Sequence, residues 1–250
     1  MEYNQERIKP YEQNGDKGPQ VQLMFDRIAH SYDRLNHLFS MKIDKKWRRA
    51  AIDSLRPFHP RAILDVATGT GDFAFLAAKE LRPNRVLGID FSEGMLKVGE
   101  EKAKYLGVDK IVSFRREDCM AISMEGGEFD AVMAAYGVRN FVDLEKGLAE
   151  MLRMLKPGGR LVIIELTTPA TFPMKQLFHL YSRVLMPVVG KIVSKDSQAY
   201  SYLLKTMDAF PQGKEMKGIL EKVGFDDVAF KRFTFGISTL YIGRKPEIIG

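Results

Sequence analysis

The sequence predicts an α/β protein built on one mostly parallel sheet, and three observations carry the prediction. From Arg61 onward short apolar runs alternate with amphipathic stretches of helical spacing. Strands that alternate with helices require crossovers, and crossovers make parallel neighbours. The chain has 250 residues, 45% of them hydrophobic, enough for one sizeable core rather than two.

Taken in order, the strand and helix pairs are RAILDVAT (61–68) with FAFLAAKEL (73–81), and RVLGID (85–90) with EGMLKVGEEKAKYL (93–106). IVSFRRED (111–118) follows, then FDAVMAAYG (129–137) with LEKGLAEMLRML (144–155), and GRLVIIEL (159–166). DDVAFKRFTFG (226–236) and STLYIGRK (238–245) are close enough for an antiparallel hairpin. Ahead of the sheet, VQLMFDRIAHSYDRLNHL (21–38) and WRRAAIDSL (47–55) read as a helical cap over residues 21–58. The stretch TFPMKQLFHLYSRVLMPVVGKIV (171–193) is apolar, is broken by Pro187 and Gly190, and carries Lys175, Arg183, Lys191 and Lys195 in or beside it. It reads as core helix, lid or membrane-surface element, within a helical insertion spanning 171–213. Residues 1–20 are polar and are expected to be disordered, leaving 21–250 as a single domain.

Composition narrows the function classes. The one cysteine, Cys119, excludes a disulfide framework and a cysteine-rich zinc site and fits a reducing compartment, so a cytoplasmic protein is expected. No apolar run approaches the roughly 20 residues needed to cross a bilayer. The net charge of +6 favours an anionic contact. The basic stretch 41–61 has only Trp47 interleaved, which is poor support for nucleic acid, so none is expected as a partner.

Ligands of such sheets bind at the carboxyl ends of the strands, so motifs there carry most weight. The first strand ends in Asp65, followed by the small-residue turn Ala67, Thr68, Gly69, Thr70 and Gly71, where glycines let a ligand lie against bare backbone. A pyrophosphate would be repelled by acids around that turn. S-adenosylmethionine has no phosphate and carries a sulfonium and an ammonium that Asp65 could balance. Asp90 ends the second strand, followed by Phe91, at the spacing where an acid accepts both ribose hydroxyls. Asp118 ends the third beside Cys119, where the adenine amine would need an acceptor and the cysteine a small wall. Singly, each acid has a structural alternative: a turn cap, a helix cap at Ser92, or a solvated loop acid. Three at successive strand tips point to the methyl donor. The four histidines form no metal-ligand cluster, and no metal is expected.

The segments LDVATGTGD, GIDFSEGML, YGVRNF (136–141) and MLRMLKPGGRLVIIE resemble the UbiE/MenG (COQ5) family of quinone C-methyltransferases. The resemblance extends to MFDRIAHSYDRLNHLFS and WRR in the cap and to YSRVLMPVVG, YSYLLKTMDAFP and FTFGISTLYIGRKP, nearly the whole chain after residue 20. Ala67 and Ala135 depart from it, since members often carry glycine and a small polar residue there.

The resemblance implies a class I methyltransferase fold, Rossmann-like, with a mostly parallel seven-stranded sheet, an antiparallel C-terminal strand and the N-terminal cap. It implies methyl transfer to a ring carbon of a polyprenylated quinol, with demethylmenaquinol the first choice of acceptor. A dual enzyme that also takes the benzoquinol, another small phenolic acceptor, or a non-catalytic assembly subunit are the alternatives. The carbon becomes nucleophilic when a ring hydroxyl ionises, so a base or a stabilising cation is required. On this reading Arg139 is that cation, or else bridges to the cap, and Asn140 orients the ring. Tyr32 covers the cofactor. His30 or Asp33 could take a proton through water, and Glu165 is either a base or a structural acid. The apolar stretch would take the prenyl tail, its basic residues holding the enzyme on anionic lipid at the inner face of the membrane. The same reading leaves room for a homodimer.

Overall fold

The computed structural model describes residues 2–12, 14–40, 42–180 and 197–247. Seven strands form one sheet in the order β3-β2-β1-β4-β5-β7-β6. They are β1 (Ala62–Val66), β2 (Arg85–Asp90), β3 (Val112–Arg116), β4 (Phe129–Ala135), β5 (Leu155–Leu166), β6 (Asp226–Phe233) and β7 (Ser238–Arg244). The first five pair in parallel, and β7 runs antiparallel to both β5 and β6. The order reverses between β1 and β4, so a cleft opens beyond their carboxyl ends.

Central position shows in the residues: all five of β1 are buried, as a strand covered on both faces requires. One face carries α5 (Leu144–Met154) and α8 (Lys214–Val223), with Phe129, Leu148, Met151 and Leu220 in its core. The other carries α2 (Asp44–Asp53) and α3 (Asp72–Leu81), packed through Trp47, Ile52, Phe73 and Ala77. Between β2 and β3 runs α4 (Glu93–Leu106), opened by the Ser92 hydroxyl accepting the Met95 N–H at 3.1 Å and closed by left-handed Gly107.

The cap helix α1 (Lys17–Phe39) starts four residues earlier than the periodicity predicts. Its Met24, Ile28 and Ala29 pack on Met95 of α4 and on Ala199 and Tyr202 of α7 (Ser197–Ala209). Asp26 fastens it, accepting from the Ser92 hydroxyl at 2.5 Å and the Gly94 N–H at 3.0 Å.

The described residues of the first twenty, a stretch read from its polar composition as disordered, make defined contacts with the rest of the chain. Asn4–Arg7 form a short 3-10 turn in which Gln5 and Glu6 are buried. Glu6 accepts the Leu144 N–H at the start of α5 at 2.8 Å, and the Tyr3 hydroxyl donates to Glu145 at 2.6 Å. The segment's docking combines these hydrogen bonds with apolar packing of Tyr3 on one core and of Ile8 and Tyr11 on another. Of the 171–213 insertion, α6 (Met174–Leu180) and α7 are described, whereas 181–196, most of the apolar stretch, lies outside the described residues.

Candidate active site

A cavity of about 520 Å³ lies at the strand-order reversal, beneath α1. Its floor is the turn after β1 and the ends of β2 and β4, through Ala67, Gly69, Asp90, Phe91 and Ala135. Asp118, Cys119 and Met120 close one side. Val21, Phe25 and Tyr32 of α1 form the roof, and Lys17, Asn140 and Phe141 the far wall.

The turn is shaped by backbone need. Gly69 has φ +57°, and a Cβ there would stand 3.9 Å from the Tyr32 ring, so Tyr32 covers the bare backbone. Ala67 takes φ +53° without being glycine, a strained value that a methyl tolerates. Asp90 receives the Gly69 N–H on one oxygen at 2.8 Å and the Ser92 N–H on the other at 2.9 Å. Both oxygens are thereby fixed toward the cavity edge with lone pairs to spare for a pair of hydroxyls. Burial pushes the Asp90 carboxyl upward against those bonds. Asp118 is oriented by the Met120 N–H at 2.9 Å. Cys119 is a buried wall residue whose thiol burial pushes far up, so it is no nucleophile.

Other predicted residues stand back from the cavity. Asp65 is completely buried, accepts the Thr68 hydroxyl at 2.6 Å on Oδ2, and keeps an unpartnered Oδ1. Burial raises it to about 7, opposed by the Thr68 bond and the Arg48 charge. Thr70 donates its hydroxyl to Asp33 of α1 at 2.6 Å, and Lys102 pairs with Asp33 at 2.9 Å and with Asp72. Gly71, at φ +84°, has no room for a Cβ because the Phe114 ring would be 2.6 Å away. Thr70 and Gly71 thus build the turn and lock the cap onto it without lining the cavity. His30 is exposed.

Arg139 and Glu165 are turned toward each other rather than toward the cavity. Arg139, read as a stabilising cation or else a bridge to the cap, is buried and pairs through Nη1 with Glu165 Oε1 at 2.6 Å; the same nitrogen donates to the Tyr136 carbonyl. Glu165, read as either a base or a structural acid, also accepts from the Arg139 N–H at 3.2 Å and the Leu166 N–H at 2.8 Å. The two sit at the ends of adjacent strands β4 and β5, and neither lines the cavity. Asn140 does line it, and its Oδ1 is buried without a partner.

Sequence reasoning missed Lys17. It lines the cavity and is almost fully buried, with Nζ donating to the Gln5 carbonyl at 2.7 Å and the Phe141 carbonyl at 3.1 Å. Burial lowers it to about 8; the nearby Glu6 opposes that shift and Arg139 adds to it. The only available signal was a lone lysine directly before the first apolar-periodic residues of α1.

The residues present fit S-adenosylmethionine. Asp90 and Asp118 on the cavity wall and the orphaned Asp65 Oδ1 behind it make an acidic surround that suits hydroxyls, an amine and cations and repels phosphate. Among the described residues no three His, Cys, Asp or Glu side chains are grouped to hold a metal ion. No helix among them is long and apolar enough to cross a membrane.

The ubiE/COQ5 methyltransferase family model matches residues 12–245. A demethylmenaquinone methyltransferase of Bacteroides fragilis is 56% identical over 98% of this chain and all of its own length. A ubiquinone/menaquinone biosynthesis C-methyltransferase of Geobacter sulfurreducens is 41% identical over 92% of this chain and 90% of its own. Among solved structures, a SAM-dependent methyltransferase of Thermotoga maritima superposes with a TM-score of 0.64 at 16% identity, covering 90% of this chain and 99% of that one, a likeness of fold.

Proposed function

The chain belongs to the ubiE/COQ5 methyltransferase family, and on that premise we propose that it methylates a ring carbon of a prenylated quinol, converting demethylmenaquinol to menaquinol. It is an S-adenosylmethionine-dependent C-methyltransferase of menaquinone biosynthesis. The observation that carries the reading is the continuity of the cavity. The acid-lined floor of Gly69, Asp90 and Asp118 opens directly onto the apolar roof of Val21, Phe25 and Tyr32, so donor and flat ring share one space. The 56% identity with the Bacteroides relative favours the naphthoquinol over the benzoquinol as first substrate.

When bound, the cofactor supplies a methyl group on a sulfonium, an electrophile that needs no metal. Asp90 would hold the ribose hydroxyls, Asp118 the adenine amine and Phe91 one face of the adenosine, with Cys119 as a small wall. Gly69 would allow close approach, and Thr70 and Gly71 keep the turn in shape. Asp65 would balance the amino-acid end from behind. Tyr32 would shield the reacting atoms from water, and Asn140, its Oδ1 unspent, would orient the ring by accepting a quinol hydroxyl. Arg139 would then serve as a positioning residue, fixing Tyr136 and Asn140 through its pair with Glu165.

Lipid contact is part of the proposal. Phe172, Leu177 and Leu180 are exposed around α6 beside Lys175, a composition suited to an anionic membrane surface from which only the quinol head need enter. On this reading the protein would work at the inner face of the membrane, with a homodimer as one assembly it could adopt there.

The test is methyl transfer from labelled S-adenosylmethionine to reduced demethylmenaquinone, with a prenylated benzoquinol and a non-prenylated phenol beside it. Transfer to the naphthoquinol supports the proposal, and transfer to both prenylated rings marks a dual enzyme. Cofactor binding without transfer to either discards the quinone assignment.

A further inference from the structure

Arg139 and Glu165 are paired with each other and neither lines the cavity, so a proton acceptor for the ring hydroxyl has to come from another residue there. Two side chains lining it are lysines. Lys146 is exposed at the start of α5, whereas Lys17 is buried and makes no ion pair with any described residue. A buried amine held only by carbonyls is costly as an isolated cation and readily given up as a proton. Two of its three donors are spent on Gln5 and Phe141, leaving one position unpartnered at the cavity wall.

A second observation points to a ligand at this wall. The Gln5 side chain is fully buried with neither Oε1 nor Nε2 partnered, and the buried Tyr202 hydroxyl and Asn140 Oδ1 are equally unspent. The backbone brings these together: the 4–7 turn packs against both α7 and the 138–140 turn. Unpaired buried polar groups are rare, and of these Asn140 Oδ1 lines the cavity with Lys17, while the Gln5 side chain and the Tyr202 hydroxyl belong to the elements packed behind that wall.

We infer that Lys17, carried by the N-terminal segment, is the catalytic base that takes the acceptor's ring-hydroxyl proton and then stands as the ammonium beside the ring oxyanion. The inference rests on the proposed function for its substrate class. Neutral Lys17 accepts the O–H proton, and the ring carbon beside the oxyanion forms a bond to the methyl carbon as the carbon–sulfur bond breaks, its electron pair staying on sulfur. The methylated carbon then loses its hydrogen to water, restoring the aromatic ring, and the oxygen recovers its proton from Lys17. One proton is released per methyl transferred.

Burial lowers Lys17, with Glu6 of the 4–7 turn opposing and Arg139 of the 138–140 turn adding to it; Asp16 lies beside it, Asp143 and Lys146 at the α5 start line the same cavity, and Tyr202 of α7 lies next to Arg139. The lysine and the ring hydroxyl titrate as a pair, and the reactive form has lost one proton. Turnover therefore rises through a pKa near that of the lysine, about 8.

Lys17→Arg keeps donors and charge but cannot accept a proton. It is expected to fold, to bind cofactor as wild type by calorimetry, and to lose turnover roughly 100-fold, along with the rise in its pH profile. Lys17→Met removes the charge too. With S-adenosylhomocysteine present, absorption of bound α-naphthol should show its ionisation about one pH unit lower in wild type than in free solution. That shift should be absent in Lys17→Met. Wild-type turnover and pH profile in the arginine variant overturn the inference, as does a naphthol shift retained in Lys17→Met, which would leave the lysine a structural staple. If Lys17→Met does not fold, the arginine variant decides alone. A wild type that methylates no quinol yet shifts naphthol through Lys17 refutes the proposed function and leaves this base in place.

Discussion

The Arg139 guanidinium and the Glu165 carboxylate meet at 2.6 Å with side chains 4% and 0% exposed. Each is the other's main counter-charge, and together they brace the loop that follows β4 against the end of β5.

Removing one partner leaves the other charged in the interior. Arg139→Met should cost roughly 3 to 5 kcal/mol, and the double variant Arg139→Met, Glu165→Leu should recover much of it. Urea unfolding of both single variants and the double closes the cycle. A double variant no more stable than the singles would show that the pair is not acting as one unit.

Asp90 makes a separable prediction. Asp90→Ala frees the Gly69 and Ser92 N–H groups and removes the acceptor for a diol. Cofactor affinity measured by calorimetry should drop at least about tenfold, the order of one charged hydrogen bond. Unchanged affinity would remove Asp90 from the cofactor site.

Asp65 predicts a pH dependence of stability. Its folded value, about 7, lies above its ordinary 3.8, so between these pH values the native state holds a proton that the unfolded chain has released. Stability from this group is therefore fully present below about pH 4 and falls as pH rises to about 7, by on the order of 4 kcal/mol. Asp65→Asn should flatten that slope. Urea midpoints at the two ends of the range would check it, and an equal slope in the variant would contradict the buried, protonated acid.

Ala67 and Gly137 are matched by size. A Cβ on Gly137 would stand 2.6 Å from the Ala67 Cβ, so Gly137→Ala should destabilise by about 1 to 3 kcal/mol. Adding Ala67→Gly clears the clash and relieves the left-handed conformation at residue 67, and should restore most of the loss. Thermal melts of the two singles and the double decide it; additive losses would mean that the methyls do not meet.

Much of this was legible in the sequence because it is local. Strands and turns follow from short-range pattern, so β1 to β4 fall where the periodicity puts them, with Asp90 ending β2, Asp65 one residue inside the end of β1 and Asp118 two residues beyond β3. The Arg139–Glu165 pair was hidden because it depends on β4 and β5 being neighbours in the sheet. Each residue read alone is an unspent functional group. Lys17, Gln5 and Glu6 were hidden more deeply. Their partners Phe141 and Leu144 lie more than a hundred residues away, and a polar segment that docks through backbone hydrogen bonds has the composition of one that does not dock.

The docking of the 4–7 turn and Lys17 also sets an order of assembly. Glu6 and Lys17 find their partners 138 and 124 positions further along the chain, at Leu144 and Phe141, so in synthesis they must wait until β1 to β4 have been made. Contacts of such separation carry a loop-closure cost that the rest of the fold has to meet first. That wall of the cavity therefore cannot form before α5 has emerged.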